Sequence, residues 1–373
     1  MSLIDVGGKI RPGEELDILA VEQWLKAQGV DLQGEAIVTQ YSGGKSNWTY
    51  RLRYENIDLV LRRPPKGHKI NRAHDVVREF QIQKNLADFY PVVPEMIAVC
   101  QDHSIIGCDF YIMKRIKGII LRSKLPPELN FSEKQVHQLC VNMLDKLIQL
   151  HQVPYQGTAL ENFGDGQNYC RNQLEAWDRR YTKARTLNVP SFRFVRKWLF
   201  ENLPQQSTTC LIHNDWRFDN LILDPQQPTE IIGVLDWEMA TLGDPLMELG
   251  TALAYWVEPT DNMIFKSTRR QPTHMTGMFT RKQVVEYYLE KTGLSPENWT
   301  FYEVFGLFRL AVVTQQIYYR YFHKHSVNPA VKNFWMVVQA LHVRALKLIA
   351  QYKLKDHELA QRYKQKLQGI LKP

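Results

Sequence analysis

Two short apolar runs, Cys210-Leu211-Ile212 and Leu221-Ile222-Leu223, frame the polar loop His213-Asn214-Asp215-Trp216-Arg217-Phe218-Asp219-Asn220. A third run, Ile231-Ile232-Gly233-Val234-Leu235, ends in Asp236. Runs this short and this β-branched read as buried strands. A strand on each side holds the loop rigidly, and the third strand delivers one more carboxylate to a sheet edge. A charge there needs a partner, and a metal ion can supply it. A polar turn chosen for Asp and Asn has the same composition as the loop. The Asp236 strand, following at this distance, argues for a built site instead.

The loop holds what phosphoryl transfer asks of a protein: a group to take or orient the acceptor hydroxyl, oxygen ligands for Mg²⁺, and cations for phosphate charge. Asp215 is the candidate base. Asn220 and Asp236 are hard oxygen donors suited to Mg²⁺. Arg217 can face the transferred phosphate in the transition state. His213 is expected to brace the loop by hydrogen bonding. A catalytic loop followed by a metal-binding Asp is also the order found in kinases.

Upstream, Tyr41-Ser42-Gly43-Gly44-Lys45-Ser46-Asn47 separates two strand-like segments. Its glycines permit close backbone approach to phosphates, and Ser42, Lys45, Ser46 and Asn47 can donate to them. An ordinary hairpin loop has the same composition. The next strand, Leu59-Val60-Leu61-Arg62-Arg63-Pro64-Pro65, offers Arg62 as the cation, with Glu79 of the following helix as its partner. Arg63 competes, because strand alternation turns only one of the two inward. An arginine supplies a planar fork where a lysine would supply a point charge. Phe110-Tyr111-Ile112-Met113, followed by Lys114-Arg115-Ile116, reads as a strand entering a hinge. Backbone groups near Met113, Lys114 and Ile116 are then expected to read the adenine of ATP.

The 373 residues exceed one comfortable core and suit two lobes. Helical spacing is expected over 14–28 and 72–89, and strands over 35–41, 48–54, 57–63 and 109–116. From 132 onward helices dominate, at 132–152, 168–187, 190–202, 281–292, 297–323, 330–353 and 356–370. The pattern is α+β: a β-rich lobe with one inserted helix over 1–116 and a mainly helical lobe over 117–373, the change falling at 114–122. Charged residues interrupt the longest apolar stretch, 301–322, so no membrane span is expected. An N-terminus without an apolar core argues against a signal peptide. Five scattered cysteines fit free thiols in a reducing, cytoplasmic setting. The net charge of +8 suits an anionic partner. No nucleic-acid-binding motif accompanies it.

Residues 211–250, through Asp236-Trp237-Glu238 and Gly243-Asp244-Pro245-Leu246-Met247-Glu248, resemble the aminoglycoside phosphotransferase/choline kinase-like family. The resemblance implies a bilobal protein-kinase-like fold, Asp215 as catalytic base, and Asn220 and Asp236 as metal ligands. Glu248 stands where many members have Asp. Val60–Gly67, Asn298-Trp299, Phe301-Tyr302, Phe308-Arg309 and Gln316–Tyr321 are similar to the kinase-like domains attached to certain acyl-CoA dehydrogenases and to their free-standing bacterial relatives. That branch implies a small-molecule acceptor, with an anionic hydroxyacyl-CoA as a candidate. Tyr302, Arg309, Tyr319 and Arg320 are then substrate-site candidates, although helix packing and solvated charge explain the same residues. A nucleotide-binding pseudokinase with a regulatory role and an antibiotic kinase are the competing readings.

Overall fold

A computed structural model describes residues 3–42, 47–65, 75–204 and 208–370, with side chains as far as 355. They group into two compact units. The first comprises residues 1–165, 210–242 and 270–279, and the second 166–209, 243–269 and 280–373.

In the first unit, α1 (Ile18–Ala27) starts where the Asp17 carboxylate accepts the Ala20 N–H at 3.1 Å. Strands β1 (Ile37–Gln40), β2 (Trp48–Arg53), β3 (Asp58–Arg63), β4 (Met96–Cys100) and β5 (Phe110–Lys114) form an antiparallel sheet in the order β1-β2-β3-β5-β4. Helix α2 (Val76–Leu86) follows β3, and the short α3 (His103–Ile106) connects β4 to β5. The two-residue period of β3 divides its side chains. Leu59 and Leu61 join Tyr50, Leu52, Phe110 and Ile112 in a core with Val21 and Leu25 of α1. Val60 faces the other way, with Tyr111, Met113 and the α2 residues Val76 and Phe80. Full burial of each such side chain contributes roughly 1.5–3 kcal/mol. Arg62 shares the Val60 face and Arg63 the opposite one.

The same unit holds α4 (Glu133–His151), opened by a reciprocal Ser132–Gln135 capping box. It packs on β6 (Cys210–Ile212) and β8 (Ile231–Val234). Strand β7 (Leu221–Leu223) pairs antiparallel with β8, and β6 pairs with β9 (Thr241–Gly243). These are the strands expected on either side of the polar loop and before Asp236.

The second unit is helical: α5 (Tyr169–Ala184), α6 (Arg193–Glu201), α7 (Pro245–Ala254), α8 (Met263–Thr268), α9 (Arg281–Thr292), α10 (Trp299–Phe322) and α11 (Phe334–Ile370). Asp244 caps α7 by accepting the N–H groups of Leu246 and Met247, and Pro245 takes the first helical position. Helix α10 packs on α5, α7 and α11. Its approach to α7 is close because two glycines meet: a Cβ on Gly306 would strike the Gly250 carbonyl, and one on Gly250 would strike the Tyr302 carbonyl. Backbone cannot yield as a side chain can. Gly306→Ala is therefore expected to lower stability by about 2–3 kcal/mol, read from chemical denaturation. An unchanged midpoint would mean that the two helices slide apart without cost.

The expected helices 330–353 and 356–370 are one continuous helix, α11. Nothing between them, neither Gly nor Pro, ends a helix. Of the expected helix 72–89, residues 72–74 lie outside the described residues, and the helix spans Val76–Leu86, ending three residues before the expected end. Strand β4 and helices α3, α7 and α8 were not expected. The stretch 114–122 lies inside the first unit, as does α4. All five cysteines are free. Among the described residues no helix is long and apolar enough to cross a membrane.

Candidate functional site

The loop between β6 and β7 is held by its own first residue. His213 is fully buried. Its Nδ1 accepts the Asp215 N–H at 3.3 Å, and its Nε2 lies 2.8 Å from the Leu235 carbonyl oxygen. An acceptor opposite Nε2 and a donor opposite Nδ1 place the ring proton on Nε2. The rings of Trp216 and Trp237 pack edge-on against the imidazole. His213 thus ties the loop to the end of β8. Asn214 and Asp236 have φ of +70° and +69°, a left-handed conformation that Asn and Asp tolerate better than other side chains.

Asn220 binds Asp215 twice: its Nδ2 donates to the Asp215 carboxylate at 3.0 Å and to the Asp215 carbonyl at 2.8 Å. Arg217 reaches the same carboxylate oxygen at 3.1 Å and Asp219 at 3.1 Å. Its guanidinium therefore spans two carboxylates of its own loop. Burial pushes the Asp219 carboxyl upward, with Arg217 acting against that rise. The Leu235 N–H donates to the Asn220 carbonyl at 2.8 Å, which brings Asn220 beside Asp236.

Of the two arginines on β3, Arg62 reaches this group. It lies 3.3 Å from Glu79, 2.5 Å from Asp236 and 3.0 Å from Glu238. Arg63 turns the other way and lies over the rings of Trp48 and Tyr50. One cation thus serves three carboxylates. Burial works against the charged guanidinium, but Glu79, Asp236 and Glu238 together raise the Arg62 pKa well above its usual value. Burial also raises Glu79, to about 7, with the Asp236 charge adding to the rise and Arg62 acting against it. Burial acts on Asp236 in the same direction, yet the Arg62 contact holds its pKa below the usual carboxylate range. Glu238 and Asp219 stand in the sequence motifs described above but were not expected to be site residues. The signal available for both was adjacency to an expected ligand: Asp219 precedes Asn220, and Glu238 follows Asp236 by two residues.

A cavity opens beside these groups. Arg62, Asp219, Asn220 and Asp236 line one part of it, and Val60, Met113, Ile222 and Leu235 form apolar walls. Lys114 and Ile116 line it as well, so the three expected hinge residues meet one cavity. The Lys114 and Arg115 N–H groups are already spent on the carbonyls of Glu95 and Asp58. Gly118 and Gly233 lie where a Cβ would run into Ile222. Of the expected phosphate loop, Gly43, Gly44, Lys45 and Ser46 lie outside the described residues. Ser42 is exposed. Asn47 is buried and donates to Glu238 at 3.1 Å.

The four substrate-site candidates all lie on α10, in the second unit. Tyr302 is buried and stacked on Trp299, and burial pushes its phenol far upward. Arg309 lies over the Trp177 ring. Tyr319 packs on His323, and Arg320 is exposed. At 1.5 Å rise per residue, Tyr302 and Arg320 are about 27 Å apart along the helix. The four are spread along α10 and do not form one small subsite.

The donor set fits Mg²⁺. Asn220 spends its amide N–H groups on Asp215, which leaves the side-chain oxygen for a cation, and Asp236 adds a carboxylate. Among the described residues no group of three His, Cys, Asp or Glu side chains could hold a metal. Two protein ligands suit a Mg²⁺ that takes its other oxygens from phosphates and water.

The phosphotransferase enzyme family (APH) matches residues 37–280. Acyl-CoA dehydrogenase family member 10 of Mus musculus is 36% identical over 304 residues, covering 81% of this chain and 28% of its own length. The chain spans less than half the length of the curated relatives it matches. Among solved structures, a candidate aminoglycoside phosphotransferase from Ralstonia eutropha is 27% identical, with a TM-score of 0.77 over 90% of this chain and 99% of that one. Choline kinase from Cryptosporidium parvum is 12% identical, with a TM-score of 0.59 over 91% and 97% of the two chains, a likeness of fold. The fold is thus protein-kinase-like, with a β-sheet lobe and a mostly helical C-terminal part.

Proposed function

The chain belongs to the phosphotransferase enzyme family (APH), and we propose that it transfers the γ-phosphoryl group of ATP, with Mg²⁺, to a hydroxyl of a small metabolite. The observation that carries this reading is the convergence of Arg62, Asn220 and Asp236 on one cavity, with Asp215 hydrogen-bonded behind Asn220.

The residues then divide the chemistry among them. Asp215 takes the acceptor hydroxyl proton, its carboxylate oriented by Asn220. Arg217 stabilises charge on the transferred group. His213 holds the loop against β8. Arg62 meets phosphate charge from β3, with Glu79 behind it. Asn220 and Asp236 would hold Mg²⁺, which supplies charge neutralisation for the β- and γ-phosphates.

A hydroxyacyl-CoA is the proposed acceptor. The likeness to an acyl-CoA dehydrogenase family member supports it, and so does the net charge of +8, which suits a polyanionic ester better than a polycationic antibiotic. The test is ATP consumption with Mg²⁺ over a panel of hydroxyacyl-CoA esters and aminoglycosides, with products identified by mass. A phosphorylated ester is expected. Turnover confined to aminoglycosides would remove the ester reading. ATP binding without turnover on any acceptor would favour a regulatory nucleotide-binding role.

A further inference from the structure

Residues 4–11 precede the family region, yet they are stitched to the cavity. Gly8 and Gln40 exchange N–H···O bonds at 2.8 and 3.0 Å, and Ile4 bridges to Ile119. Thr39 Oγ1 donates to the Val6 carbonyl at 2.6 Å, and Arg115 donates to the Asp5 carbonyl at 2.7 Å. The Arg11 N–H reaches the Gln40 side chain at 2.8 Å. Gly7, with φ of +75°, sits where a Cβ would collide with Thr39. The segment is thus a strap, fixed at one end to β1 and at the other to the chain just past β5.

This course puts Asp5 on the cavity wall, with Tyr41, Arg115 and Arg122. The Asp5 carboxylate accepts the Gly7 N–H at 2.9 Å through Oδ1, and Oδ2 lies 3.9 Å from Arg122. Neither contact exhausts its acceptor capacity, since an ionised carboxylate offers about four lone-pair sites. The cavity then has three chemistries. Arg62 suits phosphate, Asn220 and Asp236 suit its Mg²⁺, the apolar walls of Val60, Met113, Ile222 and Leu235 suit a planar base, and Asp5 adds a further acidic residue to the lining. A nucleotide has one further set of donors to satisfy, the vicinal hydroxyls of its ribose.

We propose that the strap completes the nucleotide site and that Asp5 accepts hydrogen bonds from the ribose 2′- and 3′-hydroxyls, which makes it a specificity-determining residue. The proposal rests on the ATP reading above. Hydrogen bonds to a charged acceptor are the stronger kind, and a polar group left without its partner is what discriminates against an analogue.

The test is calorimetric binding of Mg·ATP and Mg·2′,3′-dideoxy-ATP, without acceptor, to the full chain. The unsubstituted protein is expected to prefer ATP by about tenfold or more. Asp5→Ala is expected to bind both alike, with its dideoxy-ATP affinity within about twofold of the unsubstituted protein's, which also reports an intact fold. Asp5→Asn keeps an acceptor for Gly7 and is expected to show an intermediate preference. Equal binding of the two nucleotides by the unsubstituted protein would overturn the proposal. So would full discrimination retained in both variants. Absence of binding to either nucleotide by the unsubstituted protein would instead remove the ATP reading on which the proposal rests.

Discussion

Asp215→Ala is expected to lower turnover by about 10³–10⁴-fold while ATP affinity stays within about twofold. The size follows from the role of a positioned base, which contributes about 10²–10⁴ in rate, and 10³ corresponds to about 4 kcal/mol of barrier. The selectivity follows from geometry. Asp215 contacts Asn220 and Arg217, and neither Arg62 nor Asp236 depends on it for a partner. Loss of the carboxylate also frees Asn220, so alanine alone would confound a base with a prop. Asp215→Asn separates them, because the amide oxygen still accepts from Asn220 Nδ2 and the group can no longer take a proton. Equal losses in the two variants identify a base. Near-complete activity in Asp215→Asn would reduce Asp215 to a positioning residue.

Much of this site was legible in the sequence, because its parts lie close together along the chain. Residues 210–236 carry three strands and the polar loop in one run, and each strand is apolar enough to be recognised without its partners. His213, Asp215 and Asn220 come together through that local geometry. The choice between Arg62 and Arg63 was not legible. Alternation says that one of them turns inward, and only the packing of Val60 against α2 decides which. The sharing of Arg62 among Glu79, Asp236 and Glu238 was hidden for a related reason: the contact joins residues 174 and 176 positions apart in the chain. Helix α7 was missed on other grounds. Every residue of Pro245–Ala254 is buried, and a helix buried all round has no polar face to reveal its period. The uniform helical spacing of 330–370 led to the opposite error, a break where the chain has none. The substrate candidates on α10 came from resemblance, and a resemblance in sequence carries no distance between residues.

Arg62→Met is expected to destabilise the protein by about 3–5 kcal/mol, with the deficit growing as pH rises. The substitution is close in volume and removes a cation that lies within 3.3 Å of Glu79, Asp236 and Glu238 alike. Buried carboxylates left without it can ionise only at a cost, or else keep their protons. In the unsubstituted protein Glu79 already does the latter, since its folded pKa is about 7 against an ordinary 4.5. Between those values the folded state binds a proton that the unfolded state has released, so stability falls as pH rises from 4.5 to 7, by about 3 kcal/mol for this group. Without Arg62 the folded pKa values of Glu79 and Asp236 both rise, more protons are held in the folded state, and the fall steepens and extends to higher pH. At pH 5 protonation relieves most of the repulsion, and the two proteins are expected to differ least. At pH 8 the difference is full. Arg62→Lys is expected to fall between them: one ammonium cannot present separate N–H groups to Glu79 on one side and to Asp236 and Glu238 on the other. Denaturant unfolding at pH 5 and pH 8 reads all three proteins. A deficit of equal size at both pH values would mean that Arg62 contributes packing alone, and that the three carboxylates find their compensation elsewhere.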